Sequence, residues 1–438
     1  MAAANTFLAS SVSWKLLFGV DLVKFLLVVG DGMADYPVPE LGNKTPLQMA
    51  RKPNMDTIAA EGRSGLIKNV PDDMHPGSET AILSLLGYDP HLYCTGRGPL
   101  EAPARGIKLA KNDAAFRCNL ITQKNGKIAD YSAGHITTDE AKQLIQTVNE
   151  AFGKPKKIEF YSGLDYRHFL ILRNVPDSRE IECTPPHDAI GAKISAVLPK
   201  AKSREVEETA ASLCKMILES KALLDSHPVN VARVRAGKNP GNMIWPWGGG
   251  PKPSMPSFKA KFGLRAAVIS AVDLVKGIGT YAGMEVINVS GATGLANTNY
   301  EGKADAALKA LEVNDFVFVH VEAPDEAGHV KDAKLKVKTI EDLDRRMLGR
   351  VLKGLKEPCA VAVLPDHPTP VPVGTHTREP VPFAIRVPGV RPDGVERFDE
   401  VSVRKGEYGL VTHDSLMSLF VSSKPQAESS SQGKKRVK

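Results

Sequence analysis

The sequence predicts an α/β protein with a mainly parallel sheet and a smaller α/β domain inserted into it. Strand and helix patterns alternate from residue 25 onward, the signature of βαβ units. Strand-like apolar runs recur far apart, at Phe25–Val29, Phe316–Val321 and Ala360–Leu364. A middle third with its own alternation is closed by Lys238-Asn-Pro-Gly and Trp245-Pro-Trp-Gly-Gly-Gly-Pro-Lys-Pro253, dense enough in Gly and Pro to predict a linker.

In chain order, Phe25–Val29 reads as the first strand. Asp56–Gly62 reads as a helix closed by Gly62, Gly65–Val70 as a strand, and the residues up to Ser78 as a turn-rich loop. Glu79–Leu86 is an apolar helix ended by Gly87, which puts Ser78 at a helix N-terminus. Within the middle third, Ala114–Thr122 and His168–Leu172 read as strands, and Thr138–Phe152 and Ser203–Leu224 as charged helices. Gly263–Val272 then resumes the strand pattern of the first part, and no internal repeat is apparent. The expected division is a catalytic domain of residues 21–108 and 241–425, an inserted domain of 109–240, an extension of 1–20 and a disordered basic tail of 426–438.

The chain has 438 residues, 42% hydrophobic and 24% charged, as in an ordinary soluble enzyme. Part of its net charge of +7 lies in Lys434-Lys-Arg-Val-Lys438, so the excess gives little support for nucleic-acid binding; the remaining mild basicity suits anionic substrates. Five cysteines without CxxC spacing argue against a disulfide framework. The apolar N-terminal stretch is interrupted by Lys15, Asp21 and Lys24, so no membrane-spanning helix and no secretory leader are expected. A cytoplasmic protein is expected, with an organellar leader in residues 1–20 left open.

The ends of the apolar runs carry the chemistry. Phe316–Val321 leads into Ala-Pro-Asp-Glu-Ala-Gly-His329, read as a loop that offers Asp325 and His329 four residues apart. Phe25–Val29 ends in Gly30-Asp31-Gly32, and Ala360–Leu364 in Pro365-Asp366-His367. One Asp after a strand is usually a turn former or cap. Carboxylates or imidazoles after three separate strands predict a divalent-cation site at the carboxyl edge of the sheet. Ser78, at a helix start and beside such a site, is a candidate nucleophile, the alternative being a simple N-cap. His91, His168, His227 and His413 lack metal-spaced partners and read as surface or core residues, whereas His75 and His187 are ambiguous.

Several segments together resemble a known family: Val29–Asp35, Lys44–Leu47, Pro76-Gly-Ser-Glu-Thr-Ala81, Thr95–Ala102, Ala115–Asn119, Asp130–Gly134, Val234–Lys238, Val275–Gly279, Ala323–His329 and Asp366-His367. In this order, over roughly residues 25 to 420, they resemble the archaeal-type 2,3-bisphosphoglycerate-independent phosphoglycerate mutases of the alkaline phosphatase superfamily. The resemblance implies a three-layer core like that of alkaline phosphatase. It also implies interconversion of 3-phosphoglycerate and 2-phosphoglycerate through a phosphoserine, without bisphosphoglycerate, as a step of glycolysis and gluconeogenesis. The rivals are a metal-dependent phosphomonoester hydrolase or another phosphomutase on the same core, and an inactive scaffold.

Carried over position by position, the resemblance implies one divalent ion on Asp31, Ser78, Asp366 and His367 and a second on Asp325, His329 and His376. Mn²⁺ is the first choice, with Mg²⁺, Co²⁺ or Zn²⁺ as alternatives. Spacing alone points to five of these ligands; His376, and Ser78 as a ligand, come from the resemblance. Lys276 looks like the family lysine that reaches the transferred phosphate. Arg97 and Arg117 are candidates for holding the substrate's carboxylate or phosphate, and His135 and His187 join them as substrate-binding candidates. The only partner implied is the phosphoglycerate substrate, with no nucleic acid and no membrane, and with a homo-oligomer left open. The chain departs from the family at three places. Pro368 precedes Thr369-Pro370 where relatives carry Ser, so a hydroxyl beside the metal pair is expected to be absent. His135 stands where Arg is usual, and Glu79 where Asp is commoner.

Overall fold

A computed structural model describes residues 23–154, 157–175, 177–413 and 415–422. The expected 1–20 extension and the 426–438 tail lie outside the described residues. The strands in chain order are β1 (Lys24–Gly30), β2 (Arg63–Lys68), β3 (Ala114–Lys124), β4 (Lys127–Asp130), β5 (Ile158–Leu164), β6 (Arg167–Leu172), β7 (Ile181–Glu182) and β8 (Lys200–Ala201). They continue with β9 (Met243–Pro251), β10 (Ala266–Ile269), β11 (Glu285–Ile287), β12 (Phe316–Val321), β13 (Cys359–Leu364), β14 (Val381–Arg386) and β15 (Gly409–Thr412).

The described residues divide into two compact units, those of 23–90, 256–272 and 282–422 forming the first and those of 91–255 and 273–281 the second. These bounds differ from the expected breaks at 108/109 and 240/241.

The first unit is built on an eight-stranded sheet of order β11-β10-β12-β1-β13-β14-β2-β15. Its pairings are parallel except those of β14, which runs antiparallel to both β13 and β2. The central strands are buried on both faces, which is why they read as continuous apolar runs. Leu26 to Val29 and Phe316 to Val319 are wholly buried. Leu26, Val28, Val317 and Val319 pack with Met55 and Ile58 of the helix Pro53–Ala60 and with Ala304 and Ala307 of the helix Tyr300–Val313. Phe25 and Phe316, on the other face by alternation, stack edge-on against Phe420 of the helix Leu416–Ser422. Helix, sheet and helix therefore form the three layers expected.

Local chemistry fixes these elements. The helix Pro53–Ala60 begins on a proline, and its free amides at Asn54 and Met55 are accepted by the buried Asp344 carboxylate at 3.2 and 2.7 Å. Asp344 itself lies in a short π-helical turn, Leu343–Leu348.

In the second unit β3 is the centre, pairing antiparallel with β4, β6 and β9, while β6 pairs with β5. Helices Thr138–Phe152 and Glu207–Asp225 supply Leu144, Val148, Leu213 and Met216 to its core. Of the stretch predicted as a Gly/Pro linker, residues 245–251 lie in β9, while 238–241 stay outside any strand. Trp245 and Trp247, two residues apart, are buried, and their indole N–H groups donate to Thr184 O and Asn119 Oδ1, each at 2.9 Å. Glycine is needed there for closeness: a Cβ on Gly250 would sit 1.7 Å from Thr95 O, and one on Gly249 2.0 Å from the Phe116 ring. Pro246 is tolerated because β9 pairs with β3 alone.

The helices Arg97–Glu101 and Asp273–Tyr281 belong to this second unit as well. The Tyr281 hydroxyl donates to Pro99 O at 3.1 Å, and Gly277 passes so close to Leu100 O that a Cβ would lie 1.7 Å away. Lys276 is therefore in the second unit with Arg97 and Arg117. All five cysteines are free. Among the described residues no helix is long and apolar enough to cross a membrane.

Candidate metal centre

Strands β12, β1 and β13 lie side by side and parallel, so their carboxyl ends open at one edge of the sheet. The registers Gly30↔Val321 and Val29↔Leu364 bring Asp31, the segment after Val321 and Asp366 to one level. Gly32, with φ of +60°, makes this possible: a Cβ there would sit 2.5 Å from both Asp325 Oδ1 and Thr369 Oγ.

The segment predicted as a loop, Ala323–His329, is a helix, entered through Pro324 near its first turn. The i,i+4 spacing then sets Asp325 and His329 on one face, with His329 Nε2 3.1 Å from Asp325 Oδ2. His376 reaches the same group, its Nε2 3.5 Å from Asp325 Oδ1 and 3.0 Å from His329 Nε2. On the other side, His367 Nε2 lies 3.3 Å from Asp366 Oδ2, 3.5 Å from Asp31 Oδ1 and 3.1 Å from Ser78 Oγ. Ser78 is the first residue of the helix Ser78–Leu85, whose N-cap is Gly77, and it makes no capping bond. Its hydroxyl therefore faces the cluster at the positive end of that helix.

All seven expected metal residues, Asp31, Ser78, Asp325, His329, Asp366, His367 and His376, thus sit in the first unit. The nitrogen and oxygen atoms of Asp325, His367 and His376 converge within 4.8 Å, and so do those of Asp31, His320 and Asp366. His320 is the residue that sequence reading missed. It is wholly buried in β12, with Nε2 3.0 Å from Asp31 Oδ2 and Nδ1 3.3 Å from Ser270 Oγ. A polar ring inside an otherwise apolar strand end was the available signal.

The electrostatics call for a cation. Burial, then the neighbouring Asp366 and Asp325 carboxylates, hold the Asp31 carboxyl well above its usual range. Burial alone would also raise Asp325, but hydrogen bonds to His329 and His376 outweigh it and hold that carboxyl well below. The same Asp325 contact raises His329 to about 9. Burial lowers His320 to about 4 and also lowers His367. Asp31 Oδ1 and Asp366 Oδ2 are buried without a hydrogen-bond partner. Buried acceptors of this kind, set among carboxylates, fit a hard or borderline dication with mixed oxygen and nitrogen ligands.

The remaining candidates lie in the second unit. Arg97 Nε donates to Glu101 Oε1 at 2.7 Å, and Arg117, buried, pairs with the other oxygen of Glu101 and lies over the Trp247 ring at 5.6 Å. His187 stands edge-on to the same ring at 5.3 Å. His135 is exposed, in a left-handed turn with φ of +48°. Lys276 is half-buried on its helix. The pair Glu79 and Pro368 removes no ligand. Pro368 brings no hydroxyl to the cluster, and the threonine that follows it, Thr369, does: its Oγ donates to Asp325 Oδ1 and lies 3.3 Å from His367 Nδ1.

The sequence model of the 2,3-bisphosphoglycerate-independent phosphoglycerate mutases matches residues 59–230. A Methanosarcina acetivorans protein of that name is 52% identical over 403 residues, spanning 91% of this chain and 100% of the relative. Among solved structures, a Pyrococcus horikoshii protein superposes with a TM-score of 0.78 at 31% identity, covering 91% of this chain and 97% of its own. A cofactor-independent phosphoglycerate mutase from Thermoplasma acidophilum gives 0.65 at 30% identity, covering 91% and 99%.

Proposed function

Because this chain belongs to the 2,3-bisphosphoglycerate-independent phosphoglycerate mutases, an isomerase family, we propose that it interconverts 3-phosphoglycerate and 2-phosphoglycerate by passing the phosphoryl group through Ser78. The observation that carries this reading is the placement of Ser78 Oγ 3.1 Å from His367 Nε2, on a helix start that Gly77 caps in its stead. A serine freed from capping and aimed into a cluster of carboxylates and imidazoles is placed as a nucleophile.

Asp31, Ser78, Asp366 and His367 would hold one divalent ion, and Asp325, His329 and His376 the other. Mn²⁺ suits this mixed donor set, as do Mg²⁺, Co²⁺ and Zn²⁺. When bound, such ions supply Lewis-acid stabilisation of the charge on the transferring phosphoryl group.

The chain's own residues do the rest. Ser78 Oγ gives up its proton and forms the bond to phosphorus as the phosphorus–oxygen bond of the substrate breaks and the departing oxygen takes up a proton, giving a phosphoserine and glycerate. Return of the phosphoryl group to the neighbouring glycerate hydroxyl regenerates the serine. The second unit acts as the substrate-binding part. Arg97 and Arg117, both anchored on Glu101, present two guanidinium groups to the substrate's anionic ends. His135 and His187 serve the same binding role, and Lys276 serves the phosphate.

The test is a coupled assay from 3-phosphoglycerate through enolase, with and without added 2,3-bisphosphoglycerate, together with a measurement of free phosphate. Turnover independent of bisphosphoglycerate, with phosphate release a small fraction of it, is expected. Free phosphate as the dominant product would overturn the mutase reading in favour of a hydrolase.

A further inference from the structure

We propose that Thr369 is a positioning residue that fixes His367 in its metal-binding tautomer and ties that imidazole to Asp325. Thr369 is wholly buried, so its hydroxyl must spend its single hydrogen inside the protein. That hydrogen goes to Asp325 Oδ1, because a carboxylate oxygen can only accept. The same Thr369 oxygen lies 3.3 Å from His367 Nδ1, and with its hydrogen committed it can only accept there. The proton of neutral His367 therefore sits on Nδ1. Its Nε2 is left with a lone pair, facing Ser78 Oγ at 3.1 Å, Asp366 Oδ2 at 3.3 Å and Asp31 Oδ1 at 3.5 Å, a set of electron donors that a cation between them would satisfy. The other tautomer would set the Nδ1 lone pair against an oxygen lone pair and turn an N–H toward the ligand cluster.

The residue that carries the hydroxyl is itself held through its backbone. Thr369 N–H donates to Ala34 O at 3.3 Å, in the loop after β1, and Thr369 O accepts from the Lys336 ammonium at 2.8 Å. Gly32 and Gly328 crowd it so closely that a Cβ on either would lie 2.5 Å from Thr369 Oγ or 2.4 Å from Thr369 O. One side chain thus joins the helix that carries Asp325 to the loop that carries His367, two residues assigned to different ions. Ligating imidazoles generally have their second nitrogen fixed in this way, and loss of such a partner costs about 10- to 100-fold in metal affinity.

The inference rests on the reading of Asp325 and His367 as metal ligands, and the experiment separates the two. Thr369→Val keeps the shape and removes the hydroxyl; Thr369→Ser keeps the hydroxyl. Free Mn²⁺ is followed by electron paramagnetic resonance during titration of each protein, and the ring ¹⁵N shifts of His367 are read in the metal-free parent. Expected are Nδ1 protonation in the parent, Mn²⁺ binding weakened about 10- to 100-fold in Thr369→Val, and near-parental binding in Thr369→Ser. A parent that binds Mn²⁺ while a folded Thr369→Val binds it equally well overturns the role of Thr369 alone. A parent that binds no Mn²⁺ overturns the metal reading beneath it. Should the valine variant fail to fold, an Nε2-protonated His367 in the parent overturns the proposal without it.

Discussion

Replacing Lys336 by methionine removes a buried ammonium whose three hydrogens are all spent inside the protein. Its Nζ donates to Asp35 Oδ2 at 2.7 Å, Thr369 O at 2.8 Å and Ala34 O at 3.2 Å, and the side chain is wholly buried. Methionine fills much of the same volume, so little cavity cost is expected. What remains is polar: a buried Asp35 carboxylate loses its cationic partner, and two carbonyls lose a donor. Asp35 keeps the amides of Val371, at 3.1 Å, and Tyr36, at 2.8 Å, which softens the loss. Removing one member of a buried ion pair costs about 3–5 kcal/mol, and we expect Lys336→Met to fall in that range. The double variant Lys336→Met/Asp35→Asn should recover part of the loss, since it strands no charge. Urea unfolding followed by a probe in the first unit measures both. A single variant destabilised by less than about 1 kcal/mol would refute the reasoning, because the pair would then be worth no more than an exposed one.

Ser78→Ala should lower mutase turnover by orders of magnitude and abolish phosphoserine detectable by mass spectrometry, while circular dichroism stays unchanged because Gly77 rather than Ser78 caps the helix. Burial pushes the Glu400 carboxyl up to about 7. A carboxyl raised in the folded state stabilises the fold fully below its unfolded value, and that contribution is lost as pH rises through the folded one. Melting temperature should therefore fall between about pH 4.5 and 7, and Glu400→Gln should flatten that slope; an unchanged slope would remove Glu400 as its source. Chelator-stripped protein should lose activity and recover it with Mn²⁺, and full turnover in a verified metal-free sample would contradict the two-ion reading.

How much was legible in the chain depended on whether a signal was local. The ends of β1, β12 and β13 could be read because strands buried on both faces are continuous apolar runs, and the polar residues that follow stand out. Asp31, Asp325, His329, Asp366 and His367 were found that way. β9 was not legible, since Trp-Pro-Trp-Gly-Gly-Gly has linker composition and its glycines are explained only by Thr95 and Phe116, far away in sequence. The helix Ala323–His329 was read as a loop because its Pro and Gly are turn residues in isolation. His320 was hidden because a histidine inside an apolar strand looks like filling until the neighbouring strand brings Asp31 within 3.0 Å. Thr369 carries no signal of its own in the sequence. A hydroxyl's usefulness depends on the direction of its one hydrogen, which no spacing rule reveals.

The place of β1 in the sheet also bears on how the chain comes off the ribosome. Both of its neighbours, β12 and β13, belong to the last third of the chain. At a synthesis rate of about 5–20 residues per second, β1 would wait roughly 15–60 s before Phe316 is even made. Throughout that interval Leu26 to Val29, wholly buried in the finished fold, have neither edge paired in the native way. The second unit, whose strands all come from residues 91–255, can close on itself in the meantime. The nascent protein is thus a folded middle trailing an unsatisfied apolar strand, the kind of species for which holding chaperones exist, and the ion-binding cluster is among the last features to be assembled.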